Sequence, residues 1–156
     1  LSTEASLRRA LEQERFVVYY QPKIDLGSGK IFGMEALVRW QSPDRGMVNP
    51  ADFIPIAEES GLIIPLGDWV LNKACAQTKA WHDEGHDGLC VSVNVSAAQF
   101  QQSNLIGQIS EALDRSGLPG QLAVGPRGVK AGTVESKQRG GERGEVSLDS
   151  ALARLT

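Results

Sequence analysis

Glu35 and Arg39 are the first residues in this chain whose types and spacing could do chemistry. They lie in Ile31 to Trp40, Ile-Phe-Gly-Met-Glu-Ala-Leu-Val-Arg-Trp. That run reads as a strand, because β-branched and aromatic residues dominate and its period is two. Glu35 and Arg39 then share a face with Ile31, Gly33 and Leu37, and the other face is wholly apolar: Phe32, Met34, Ala36, Val38 and Trp40. An apolar side of that kind belongs under helices, which turns the acid and the base toward a cleft or barrel interior. A carboxylate held there needs a cation or a metal, and a guanidinium suits a carboxylate or a phosphate. From these residues alone two readings stand side by side, a structural Glu–Arg ion pair and a functional pair.

Other constellations are weaker. His82 and His86 lie near Asp83, Glu84 and Asp87, but Gly85 breaks the helix between them, so a solvated helix end is the better reading than a metal cluster. The run Gly120 to Gly125 superficially suggests a phosphate loop, yet Pro126 stands where its lysine is required. The basic, glycine-rich C-terminal stretch lacks the interleaved aromatics that stack on RNA bases.

The elements that must position these residues follow from composition and pattern. A chain of 156 residues, 41% hydrophobic with a formal net charge of −3, supports one globular domain and gives no sign of a nucleic acid polymer as partner. Cys75 and Cys90 have no metal-ligand spacing and read as buried free thiols of a cytoplasmic protein. No apolar run approaches the roughly 20 residues that span a bilayer, so no membrane contact is expected of this segment. The chain opens on Leu1 without the form of a secretory signal, and is expected to be cut from something longer.

Ser2 and Thr3 can cap a first helix carrying Leu7, Ala10 and Leu11, ending near Glu14. A strand from Phe16 to Pro22 follows, with Val17, Tyr19 and Gln21 on one face. The connection from Lys23 to Lys30 is too short for a helical crossover, so the first two strands should form an antiparallel hairpin. Ser42 to Gly46 reads as a loop, and Asn49-Pro50 starts a helix that stops at Gly61. A longer helix is expected from about Gly67 to Glu84, a third strand from Leu89 to Ser96, and a helix from about Asn104 to Ser116 closed by Gly117-Leu118. Asn94 falls on the small, polar face of that third strand. Strand, helices, strand, helix is the order of an α/β barrel or doubly wound sheet.

Past Leu118 the character changes. Pro119 to Gly144 holds seven glycines, five Lys or Arg and two Glu, whereas all nine aromatics lie between Phe16 and Phe100. Such a segment cannot bury enough surface to offset its ordering entropy. Residues 1–118 are therefore expected to be the structured unit and 119–156 a disordered tail, with a marginal short helix over Leu148, Ala151, Leu152 and Leu155.

Residues Phe16 to Leu118 resemble the EAL domain family of bacterial cyclic-di-GMP phosphodiesterases. The matching pieces are Tyr20-Gln21-Pro22-Lys23, Glu35-Ala36-Leu37 with Val38-Arg39-Trp40, Pro50 to Glu58, Gly61-Leu62-Ile63 and Val93-Asn94-Val95-Ser96. The resemblance implies a TIM-like (β/α) barrel with an antiparallel first hairpin, present here only in part. It also implies two divalent cations, Mg²⁺ or Mn²⁺, at the barrel mouth, and hydrolysis of cyclic-di-GMP to linear pGpG. Carried over by motif, Glu35 and Asn94 are expected metal ligands, Arg39 a phosphate holder, Gln21 a lining residue of the substrate cleft and Leu37 a nucleotide contact. An upstream diguanylate cyclase or sensor domain and a homodimer are further partners the resemblance allows.

The departures matter as much. Where the family continues with a strand of the form Leu-Glu-Leu-Glu-Ile-Thr-Glu, this chain reads Gly120-Gln121-Leu122-Ala123-Val124-Gly125-Pro126. The later Asp-Asp-Phe-Gly-Thr-Gly motif, the catalytic lysine and the remaining acidic ligands have no counterpart, so no catalytic set is complete. The expectation is an EAL-type phosphodiesterase domain, truncated or frameshifted and inactive as this chain. The alternatives are a non-catalytic cyclic-di-GMP receptor or interaction module, and an incomplete barrel that does not fold stably.

Overall fold

The computed structural model describes residues 3–118 and the main chain of two further strands, Leu122–Arg127 and Val134–Glu135. The elements in order are α1 (Thr3–Glu12), β1 (Phe16–Ile24), β2 (Ile31–Ser42), β3 (Gly46–Val48), α2 (Pro50–Glu59), α3 (Ile63–Asp83), β4 (Cys90–Ser96), α4 (Ala97–Phe100), α5 (Leu105–Ser116), β5 (Leu122–Arg127) and β6 (Val134–Glu135). The sheet order is β1-β2-β4-β5-β6, with β3 paired to the end of β2. β1 and β2 form the expected antiparallel hairpin, from Phe16 opposite Trp40 to Ile24 opposite Ile31. β2, β4 and β5 run parallel, joined by helical crossovers.

The period of two in β2 decides which face is covered. Ala36, Val38 and Trp40 are buried, while Glu35, Leu37 and Arg39 between them are half-buried. Helices α2 and α3 pack on the apolar face. There Phe16, Trp40 and Phe53 meet with ring centroids 5.8 to 6.3 Å apart, aromatic pairs worth about 1 kcal/mol each beyond the area they bury. Phe32 departs from the pattern and is exposed, because it lies by the hairpin tip beyond the reach of the helices.

Local rules account for most boundaries. Asn49 caps α2, its side-chain oxygen accepting from Ala51 N, and Pro50 takes the first helical position. α5 ends where Gly117 adopts φ 68°, a left-handed cap. The long helix begins at Ile63 rather than about Gly67, because Pro65 falls in the first turn, where no N–H is required. Gly67 is thereby an interior residue of α3. Two short elements go beyond the sequence expectation. β3 forms because Gly46, at φ 68°, turns the chain back onto β2. α4 follows β4 without an intervening loop.

Part of the stretch expected to be disordered is strand. Leu122–Arg127 pairs with β4, from Val91 opposite Leu122 to Ser96 opposite Arg127, and Val134–Glu135 pairs antiparallel with β5. The reason lies in the main chain, since the edge of β4 presents N–H and C=O groups that an extended segment can satisfy whatever its composition. The remainder of the expected tail, including the helix over Leu148 to Leu155, lies outside the described residues.

Candidate metal and substrate site

The uncovered face of the sheet gathers the polar residues. Strand register sets Gln21 of β1 and Ser92 of β4 on either side of Glu35 in β2, and Asn94 stands two residues further along β4. All five residues expected at the site, Gln21, Glu35, Leu37, Arg39 and Asn94, are therefore on one face. Glu35 and Asn94 touch: Asn94 Nδ2 donates to Glu35 Oε1 at 2.8 Å across 59 residues of sequence. An ionised carboxylate only accepts, so the amide must turn its NH₂ to Glu35. Glu35 Oε2 and Asn94 Oδ1 are then left as oxygen acceptors, a pair of hard donors that fits Mg²⁺ or Mn²⁺.

The Glu35–Arg39 ion pair does not form among the described residues. Arg39 Nη1 donates to the Val38 carbonyl at 2.9 Å, and its Cζ lies 5.9 Å from the Tyr19 ring centroid, an exposed-site cation–π contact. The guanidinium is thus not neutralised by any described carboxylate, which leaves its charge for an anion. Leu37 stands opposite Tyr19, and Arg39 opposite Val17, at the other end of the hairpin from Lys23.

Lys23 and Ser92 also belong to this face, and the sequence reading assigned them nothing. Lys23 Nζ donates to Ser92 Oγ at 2.7 Å, reaching from β1 across β2 to β4. It crosses at Gly33, its register partner, where no side chain obstructs it; a Cβ there would also come within 3.0 Å of the Cys90 carbonyl oxygen. The signal was available: Lys23 is two residues from Gln21, and Ser92 two from Asn94.

β4 is held at its end. Ser96, the last residue of β4 and the N-cap of α4, makes a reciprocal capping box: Gln99 N donates to Ser96 Oγ at 3.2 Å, and Ser96 N donates to Gln99 Oε1 at 3.0 Å. Both residues are buried, two positions and more beyond Asn94.

On the next strand the register places Ala123 opposite Ser92 and Gly125 opposite Asn94, two residue types without a side-chain oxygen. His82 lies elsewhere, in the last turn of α3, with Nε2 2.9 Å from the Leu89 carbonyl oxygen, and His86 follows past the end of that helix. Among the described residues no group of three or more His, Cys, Asp or Glu gathers as a metal cluster. Nor is any described helix long and apolar enough to cross a membrane.

The family model for the EAL domain matches residues 4–125. The chain belongs to the EAL domain family. It is 46% identical over 122 residues to the signaling protein YkoW of Bacillus subtilis. It is 44% identical over 112 residues to the bifunctional diguanylate cyclase/cyclic di-GMP phosphodiesterase MucR of Pseudomonas aeruginosa. These matches cover 78% and 72% of this chain but only 15% and 16% of those proteins. Among solved structures, the MucR phosphodiesterase in complex with c-di-GMP superposes with a TM-score of 0.75 at 41% identity, covering 77% of this chain and 49% of that one. EAL domains are TIM-like barrels, and the sheet described above is the corresponding part of one. The EAL match runs to residue 125, past Leu118, and so takes in most of β5.

Proposed function

We propose that this chain forms one wall of an EAL-type cyclic-di-GMP phosphodiesterase site, and that the 156-residue polypeptide binds the nucleotide without useful turnover. The observation that carries the reading is the 2.8 Å contact between Asn94 Nδ2 and Glu35 Oε1, which brings together the two ligands expected from motif alone. Glu35 Oε2 and Asn94 Oδ1 would hold Mg²⁺ or Mn²⁺. When bound, the cations of this family supply Lewis acidity at the phosphoryl oxygens and a hydroxide at neutral pH. Arg39 offers a forked guanidinium to a phosphate of the substrate. Gln21 offers an amide on the same face, and Leu37 an apolar contact for the nucleotide.

The reading of inactivity rests on the residues of this chain. Ala123 and Gly125 bring no oxygen beside Ser92 and Asn94, and no lysine or acidic ligand of the later family motifs has a counterpart in the sequence. Holding a phosphate does not require the metals, so Arg39 without a described carboxylate partner favours binding without turnover, with the chain acting as a receptor for the nucleotide. MucR is a bifunctional diguanylate cyclase/cyclic di-GMP phosphodiesterase, which supports a diguanylate cyclase domain as a partner of this one.

The test is calorimetric titration with cyclic-di-GMP in Mg²⁺, with chromatography of the mixture for pGpG. Binding that Arg39→Ala abolishes, with no pGpG, is expected. Release of pGpG overturns the inactivity, and absence of binding by the unmutated chain overturns the nucleotide reading. Mn²⁺ binding followed by electron paramagnetic resonance should weaken in Glu35→Gln.

A further inference from the structure

Tyr19 and Tyr20 are neighbours in sequence with opposite surroundings. Tyr20 turns to the helices, packs edge-on to Trp81 with centroids 4.9 Å apart, and is held there by α3. Tyr19 turns to the open face and remains 51% exposed. An aromatic ring exposed to that degree keeps apolar surface open to a ligand. Its position is specific: it stands opposite Leu37, with the Val17–Arg39 rung on one side and the Gln21–Glu35 rung on the other. The only described cation it meets is Arg39, whose Cζ is 5.9 Å from the ring centroid.

We infer that Tyr19 is a ligand-binding residue of this site, its exposed ring stacking on a purine base of the cyclic dinucleotide while it steadies Arg39 for the adjoining phosphate. The inference rests on the cyclic-di-GMP reading above and deepens it, since nothing in that reading uses an aromatic ring. The chemistry is that of nucleotide recognition in general. A planar ring serves any base, a guanidinium serves the phosphate one sugar away, and an amide such as Gln21 serves a polar edge. Tyr19 lies between those last two groups on the same strand pair. A cation over the ring also draws Arg39 into a fixed place, so less of its freedom is lost on binding.

The experiment is a titration of the whole chain with cyclic-di-GMP, followed by calorimetry and by the proton resonance of the guanine H8. The unmutated chain and Tyr19→Phe are expected to bind within about twofold of each other and to shift H8 upfield by the ring current. Tyr19→Leu should bind roughly tenfold or more weakly, the usual loss for one stacked base, and leave H8 unshifted. Tyr19→Trp, which keeps the strand and enlarges the ring, should hold or raise the affinity, and it serves if Tyr19→Leu fails to fold. Tyr19→Leu that binds as the unmutated chain does, or an H8 shift that survives it, overturns the stacking role. So does equal loss in Tyr19→Phe, Tyr19→Leu and Tyr19→Trp, which would assign the effect to the hydroxyl. No binding by the unmutated chain overturns the cyclic-di-GMP reading itself, together with this inference.

Discussion

Gly67→Ala should destabilise this domain, although helix propensity alone favours it. Gly67 is inside α3, where alanine is the better helix former by about 1 kcal/mol. A Cβ at that position, however, would lie 1.9 Å from Gln99 Nε2, 2.5 Å from its Cδ and 2.9 Å from its Oε1. The Gln99 amide cannot step aside freely, because its Oε1 accepts from both Ser96 N and Ser96 Oγ, at 3.0 and 3.1 Å. Moving it leaves the buried Ser96 N–H without its partner, at about 1–3 kcal/mol, and gives up a hydroxyl bond worth about 1 kcal/mol more. Set against the propensity gain, the net loss is roughly 1–3 kcal/mol. The assay is urea unfolding, read as a shift in midpoint at constant slope. The sign should reverse in a Gln99→Ala background. There the amide is gone, and Gly67→Ala should stabilise by about 1 kcal/mol. A stabilising effect in both backgrounds would show that Gln99 is not wedged against Gly67. It would also remove the reason to regard the turn after Asn94 as clamped.

Two further outcomes follow from single residues. Burial pushes the Cys75 thiol up to about 11, and burial followed by the proximity of Cys75 pushes the Tyr20 hydroxyl up to about 12. Both groups lose their protons more readily in the unfolded chain, so their contribution is complete below about pH 9 and is lost as pH rises from 9 toward 12. The melting temperature should fall through that window, and the slope between pH 9 and 11 should flatten in Cys75→Ala; an unchanged slope would exclude the thiol as a cause. Glu14 holds φ 52° in the turn between α1 and β1, a left-handed backbone that costs a side-chain-bearing residue about 1 kcal/mol. Glu14→Gly should recover about that much in urea unfolding, while Glu14→Ala should recover none.

The sequence by itself determined the faces. The alternation of Ile31–Trp40 was enough to place Glu35 and Arg39 together and Trp40 beneath helices, because side-chain direction in a strand is a local property of the backbone. The same holds for the hairpin, whose short connection forbids a crossover, and for the caps at Asn49 and Gly117. Composition was a poorer guide past Leu118, where Leu122–Arg127 pairs with β4 through main-chain groups that carry no compositional signal. Only the tertiary structure decided which partners those faces meet. Glu35 bonds Asn94 rather than Arg39, Arg39 rests by Tyr19, Lys23 crosses Gly33 to reach Ser92, and Gln99 occupies the space that Gly67 leaves. Each of these pairings joins residues on different strands or helices. Their register is set by the packing of the whole sheet against α2 and α3, which no short window of sequence contains.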